Sequence, residues 1–182
     1  YNGKVPLSNS TIMMPFRADG GDRDEALKLV LDELTKMLDV KILVGEHDSK
    51  SRFVADFERW PNLEYRFIKC NPGEPFARTK AANELIRYSN TEVVFNHDCD
   101  IIVHPQAYYY AEQMLLNEHF DCVLPHNGLT WDISYNFSFS EDSFLCSSFE
   151  EIKEFKNTKS HPNDNILRLR LAAAPGGIVG LK

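Results

Sequence analysis

Asp98 and Asp100 close the apolar run VVFNHDCD, one on each side of Cys99. Val93, Val94 and Phe95 are continuous, branched or aromatic, and bounded by polar residues, the pattern of a short strand buried in a parallel sheet. Such a strand delivers two carboxylates to its C-terminal end, the edge at which open α/β sheets bind their ligands. Hard oxygen donors of this kind suit Mg²⁺ or Mn²⁺ held against a substrate diphosphate, where the cation neutralises charge on a leaving group. A calcium loop is excluded, because Val103 stands where the turn glycine belongs and Tyr109 where the closing Glu belongs. Two strand-end carboxylates that cap the next helix or face water remain the bland alternative.

A second motif precedes the acidic strand by a short gap. GEPFARTKAANELIRYS contains F-x-R-x-K-x-x-N at Phe76, Arg78, Lys80 and Asn83. Arg78 and Lys80 are two apart and so point to different faces of a helix, which a single solvated stripe does not explain. A first-turn arginine can reach a phosphate while Phe76 stacks on a base or ribose. Pro15-Phe16-Arg17 ends the first strand and brings Arg17 to the same edge. Gly45-Glu46-His47-Asp48 ends the second, with Glu46 placed to accept hydrogen bonds from a base or ribose. His97 adjoins Asp98, but strand alternation sends it to the opposite face, where a packed or capping role is expected. The loop ADGGD is neither G-x-G-x-x-G nor a Walker sequence, which disfavours Rossmann dehydrogenases and P-loop enzymes.

The elements that must position these residues alternate. Thr11 to Phe16 predicts a strand, and Asp22 with Glu25 has capping-box spacing. Leu27, Val30, Leu31, Leu34, Met37 and Leu38 then recur at helical spacing. Val40 to Val44 predicts a second strand ended by Gly45. A short helix is expected over Ser51 to Arg59 and a third strand over Leu63 to Phe67. Further helices are expected over Ala77 to Tyr88 and Ala107 to Leu116, and a strand over Cys122 to Leu124. This alternation argues for a layered sheet with helices on both faces. From Gly128 to Ser147 the pattern gives way to aromatic and Ser-rich sequence, expected to be a long loop. Phe149 to Phe155 reads as helix, and Leu167 to Leu171 as a strand.

The chain of 182 residues is 43% hydrophobic, enough for one domain with a sizeable core. A formal charge of −7 argues against duplex nucleic acid or a membrane surface as partner. No apolar run is long enough to span a bilayer and no signal peptide is visible, so the cytoplasm is the expected compartment. Cys70, Cys99, Cys122 and Cys146 are widely spaced without a CxxC pair and are expected to be free thiols, buried where they sit in strand-like runs.

In their order and rough spacing, MMPFR at 13–17, Glu46, FARTKAAN at 76–83, VVFNHDCDIIVHP at 93–105 and PGGIVGL at 175–181 resemble the β-1,4-galactosyltransferase-like branch of GT-A glycosyltransferases. The resemblance implies a three-layer α/β/α, Rossmann-like fold with a mostly parallel sheet. It also implies a UDP-sugar donor, a carbohydrate or glycoconjugate acceptor, and Mn²⁺-dependent (or Mg²⁺-dependent) transfer with inversion. Carried over by position, Pro15, Phe16, Arg17, Glu46, Phe76 and Arg78 line the nucleotide site. Asp100 ligates the metal, and Asp98 contacts ribose or the metal through water. Gly176 and Gly177 let a sugar approach the backbone. In that family the Gly pair is followed by an acidic pair supplying the general base and by a metal-ligating histidine. The sequence reaches Lys182 before either, so the general base is expected beyond Lys182, and 1–182 is expected to be a single domain cut before its base. A non-catalytic sugar-nucleotide-binding module is therefore the main alternative. DCDI also resembles the start of haloacid-dehalogenase-type phosphatases, but no GDxxxD cluster follows it.

Overall fold

The structure is a computed structural model and describes residues 3–53, 55–118, 120–126, 129–133, 167–172 and 178–182. The chain divides into two compact units, 1–125 with 177–182, and 126–176. In the second unit, strands β6 (Leu129–Ile133) and β7 (Leu167–Ala172) pair antiparallel. The helix expected over 149–155 and the Gly176–Gly177 pair lie outside the described residues.

The first unit is an α/β sandwich whose sheet is mostly parallel. Its elements are β1 (Val5–Phe16), α1 (Asp22–Met37), β2 (Leu38–Asp48), β3 (Leu63–Lys69), α2 (Arg78–Ile86), β4 (Val93–His97), α3 (Pro105–Asn117), β5 (Cys122–Val123) and β8 (Ile178–Leu181). The six strands lie in the order β3-β2-β1-β4-β8-β5. The first four are mutually parallel, while β8 runs antiparallel to β4 and β5.

Alternation along β1 divides the core between the two faces of the sheet. Ile12, Met14 and Phe16 face α1 and α3, joining Leu27, Val30, Leu31 and Leu34 of α1 with Tyr108, Ala111 and Leu115 of α3. Met13 faces the other way and packs with Leu43 against Leu85 of α2. Three layers result, with α1 and α3 on one face and α2 on the other. From β1 the chain first winds outward to β2 and β3. It then crosses beneath the sheet through α2 to β4, on the far side of β1. The direction of winding thus reverses between β1 and β4, and their carboxyl ends mark the switch point of the sheet.

Several local expectations are corrected. Strand β2 does not stop at Gly45 but runs on to Asp48, with Glu46, His47 and Asp48 all buried. Gly45 lies inside the strand because α2 leaves no room for a side chain, a Cβ there coming within 2.9 Å of the Leu85 side chain. Asp22 and Glu25 form no capping box; Gly21 is the N-cap of α1, and Asp24 instead accepts from the Gly20 N–H at 2.8 Å. No helix forms over the described part of 51–59. That segment is held by side chains, with Trp60 stacked on Phe53 at 6.1 Å and its indole N–H donated to Asp32 at 2.8 Å. Of the cysteines described, all free, Cys70 is buried, Cys99 partly buried and Cys122 exposed, so the expectation of burial fails for the last. No helix among the described residues is long and apolar enough to cross a membrane.

Because Leu85 is itself fully buried, Gly45→Ala forces an overpacked contact between β2 and α2. It is expected to cost about 1–3 kcal/mol of stability, read as a lower urea midpoint at unchanged m-value. An unchanged midpoint would show that Leu85 gives way freely.

Candidate functional site

Arg78 opens α2, and Asp98 follows the last residue of β4. Their side chains form an ion pair, so motifs twenty positions apart in sequence meet at the switch point. Both are partly exposed, Arg78 at 41% and Asp98 at 28%, and ion pairs of that exposure add little stability and exchange readily. Asp100 is exposed and forms no hydrogen bond or ion pair with any described residue. Cys99 between them packs against the core, and its thiol is pushed up to about 12, first by burial and then by Asp100, with Arg23 of α1 opposing. It is a neutral thiol, not a nucleophile.

Among the described residues, no group of three or more His, Cys, Asp or Glu side chains gathers to hold a metal. The donors at hand are Asp98 and Asp100. Two carboxylates fit a hard divalent cation that completes its shell with substrate phosphate oxygens and water, not a cage made by protein alone.

Arg17 stands at the end of β1 and reaches across the edge. Its Nε donates to the His47 carbonyl at 2.8 Å and Nη1 to the Glu74 carbonyl at 2.7 Å. Nη2 lies 3.3 Å from His47 Nδ1 and 3.2 Å from Cys70 Sγ, and the guanidinium is 5.8 Å from the centre of the Phe76 ring. Arg17 and Phe76 are thus brought together, as expected, and Lys80 lies beside them, 3.7 Å from Glu74.

Three expected lining residues are placed elsewhere. The Phe16 ring is fully buried, edge-on to Phe53 with centroids 5.8 Å apart, because its position in β1 faces α1. Pro15, also buried, pairs with Gly45 within the sheet. Glu46 is likewise fully buried. Its carboxylate accepts from the Arg52 backbone N–H, shared between Oε1 at 3.0 Å and Oε2 at 3.2 Å, from the Phe53 N–H at 3.3 Å, and from the Tyr65 hydroxyl at 2.5 Å. These three donors and its full burial turn the carboxylate to the protein interior, which corrects the expectation that it meets a base or ribose. Burial and the bond to Glu46 push the Tyr65 phenol up to about 12.

Lys182, the residue beyond which the general base is expected, takes no part in this site. Strand β8 runs antiparallel to β4 with Leu181 opposite Val94, which carries Lys182 to the amino edge of the sheet, away from Asp98 and Asp100. There its side chain is exposed and its backbone N–H donates to the Asp121 carbonyl at 3.3 Å. Among the described residues this bond extends the pairing of β8 with β5.

His97 is buried on the opposite face from Asp98, as alternation requires. Nδ1 bonds the Asp98 carbonyl at 2.5 Å, Nε2 lies 2.7 Å from the Tyr108 hydroxyl, and the two rings stack. The carbonyl accepts, so Nδ1 carries the proton and Tyr108 donates to Nε2. Burial pushes its pKa down to about 4. His97 therefore anchors the backbone at Asp98 from below. The sequence reading gave no role to Arg23 or Cys70 and left His47 as a bystander. Their only signal was their place just after a predicted strand or at the start of a helix.

Two open grooves, of about 480 and 500 Å³, lie away from this edge. One joins the amino ends of β1, β2 and β3 at Leu7, Val40 and Leu63; the other lies on β3 between Tyr65, Phe67 and Tyr88. The first is lined by Asp39, Lys41 and Glu64 and the second by Arg66, Lys69 and Glu84, and neither is lined by Arg17, Arg78, Asp98 or Asp100.

No protein-family model and no curated protein matches the chain. Among solved structures it is similar to a mannosyltransferase from Pyrobaculum calidifontis in complex with GDP-Man and Mn²⁺, at 17% identity and a TM-score of 0.46. It is also similar to a provisionally assigned nucleotide-diphospho-sugar transferase from Desulfovibrio desulfuricans G20, at 17% identity and a TM-score of 0.38. The matches cover 63% and 64% of this chain but only 34% and 57% of those proteins.

A pH prediction follows from His97. Its folded pKa of about 4 lies below the ordinary 6.5, so the folded state resists a proton that the unfolded state accepts. The stabilisation is complete above pH 6.5 and is lost as pH falls toward 4, by about 3 kcal/mol in all. Denaturation from pH 7 to 4.5 should show this acid slope, and His97→Asn should flatten it while lowering stability at pH 7. Equal slopes in the two proteins would assign the acid sensitivity to other groups.

Proposed function

We propose that the carboxyl edge binds the diphosphate of a nucleotide-sugar and that the chain is the donor-binding part of a glycosyltransferase. The observation that carries this reading is the Arg78–Asp98 ion pair at the switch point, with exposed Asp100 beside it. Arg78 and Asp98 pair at a half-exposed position. A diphosphate with its counter-cation would satisfy both separately, Arg78 turning to phosphate oxygen and Asp98 to ribose or the cation's water. Asp100, together with Asp98, would hold Mn²⁺ or Mg²⁺, which when bound offsets charge gathering on the leaving diphosphate. Phe76 offers an aromatic face for the base or ribose. The sequence motifs favour UDP as the nucleotide and a carbohydrate or glycoconjugate as acceptor, with inversion at the anomeric carbon. Glu46 enters this reading as a positioning residue, holding the chain after β2 against Tyr65.

Calorimetric titration of UDP with and without Mn²⁺, and of GDP as the competing nucleotide, tests the proposal. Binding that the metal strengthens, with the strengthening lost in Asp100→Ala, is expected; equal affinity with and without the metal, or no binding at all, overturns it. Arg78→Ala should weaken UDP binding by about 1.5–3 kcal/mol, the worth of a charged hydrogen bond, equivalent to roughly 10- to 150-fold. Full affinity in that variant would leave Arg78 as nothing more than the partner of Asp98.

A further inference from the structure

The carboxyl edge holds one buried donor that the proposed diphosphate contacts leave unused. His47 is fully buried in β2, on the same face as Leu43 and Gly45, the face that meets Leu85 of α2. Its Nδ1 lies 3.3 Å from an Nη of Arg17. A guanidinium only donates, so Nδ1 must accept and the imidazole proton resides on Nε2. That Nε2–H is buried and has no acceptor among the described residues.

Its surroundings are rich in donors. Besides Arg17, the charges acting on the ring are the Lys80 ammonium and the Glu74 carboxylate, and the Phe76 ring is 6.1 Å away. Glu74 is already engaged, Oε2 accepting from the Asn71 backbone at 3.0 Å and its amide at 3.3 Å, with Oε1 3.7 Å from Lys80. The nine-residue helix α2 starts just above, at Arg78, and no side chain caps it, so its first N–H groups add to the surplus. Glu74 does not hydrogen-bond the ring, so a buried donor beside an ammonium and an uncapped helix start is suited to a further anionic acceptor.

We propose that His47 is an oxyanion-binding residue whose Nε2–H, with Lys80 and the first turn of α2, takes an oxygen of a phosphate group. The assignment rests on the diphosphate reading, in which that oxygen belongs to the donor nucleotide-sugar. Burial first, then Lys80 and Arg17, hold the imidazole below its ordinary pKa, so it acts as a neutral donor whose tautomer Arg17 fixes. Phosphate recognition at this edge then comes from both sides of α2's start, with Arg78 above Asp98 and His47 beneath the loop that carries Phe76.

The test uses the full 182-residue chain and metal-free inorganic pyrophosphate. Wild-type protein should bind it, and His47→Phe, which keeps a ring but removes the donor, should weaken binding at least about ten-fold. Long-range proton–nitrogen NMR of the wild-type imidazole should place the proton on Nε2 and show that nitrogen shifting as pyrophosphate saturates. This second readout needs no variant and decides the matter if His47→Phe fails to fold. No binding by wild type, equal affinity in the variant, or an unmoved Nε2 at saturation overturns the inference. Metal-dependent UDP binding that survives His47→Phe would keep the nucleotide reading and remove His47 from it. His47-dependent pyrophosphate binding without metal-dependent UDP binding would do the reverse.

Discussion

One guanidinium ties the carboxyl edge together. Where parallel strands end side by side, their last carbonyls lose ladder partners and need donors from elsewhere. Arg17 supplies them, bonding the backbone at His47 and Glu74 and resting against Cys70, so that the ends of β1, β2 and β3 and the loop into α2 share one hub. A lysine could not replace it, because the contacts diverge in directions that only a planar fork of donors reaches. The place where α2 begins, and with it the position of Arg78, follows from this hub and from the bare backbone of Gly45 under Leu85.

Burial sorts the acids of the edge into two kinds. Glu46 is enclosed and accepts from three donors of the chain, so its charge serves the fold by fixing the chain from Arg52 to Tyr65. Asp98 and Asp100 lie one strand beyond β1, partly or fully in solvent, with their charge open to exchange. The difference is geometric. Glu46 is still within a strand that pairs on both sides, β2 with β1 and β3, whereas Asp98 and Asp100 come after β4 has ended.

Much of this was legible in the sequence, and the misses share a cause. Periodicity marked α1 from Leu27 onward, and the continuous apolar run marked β4, because both patterns are set by elements the chain makes locally. The meeting of Arg78 with Asp98 was legible for the same reason, as two motifs at strand and helix ends. Gly45 was read as a terminator when it is a packing position, and this can be seen only once α2 lies over β2. Phe16 was carried into the site by the resemblance and Glu46 by its place at a strand end as well, but which face a strand-end side chain takes depends on how far the strand runs. Strand β2 runs four residues past Val44, which carries Glu46 into the interior. The segment at 51–59 has apolar residues at helical spacing, yet Phe53 and Trp60 use them to reach α1 and Tyr65.

The pairing of a basic helix start with an acidic strand end has a topological origin. A helix that joins two parallel strands must carry the chain from the carboxyl edge back to the amino edge, so it starts where strands end. The helix before β4 therefore opens at the same edge at which β4 closes. Because β4 lies across β1 from β3, that helix crosses the sheet directly beneath the switch point. Arg78, as its first residue, is delivered to Asp98 by connectivity, and the stretch between them is one helix, one turn and one strand. A cation at the first helical position is unfavourable for the helix dipole, which prefers acids there, and α2 has none in its first turn and no capping side chain. The chain thus forgoes helix stability at the one terminus where positive charge gathers at the switch point, and the nearest carboxylate that compensates it belongs to the acidic pair.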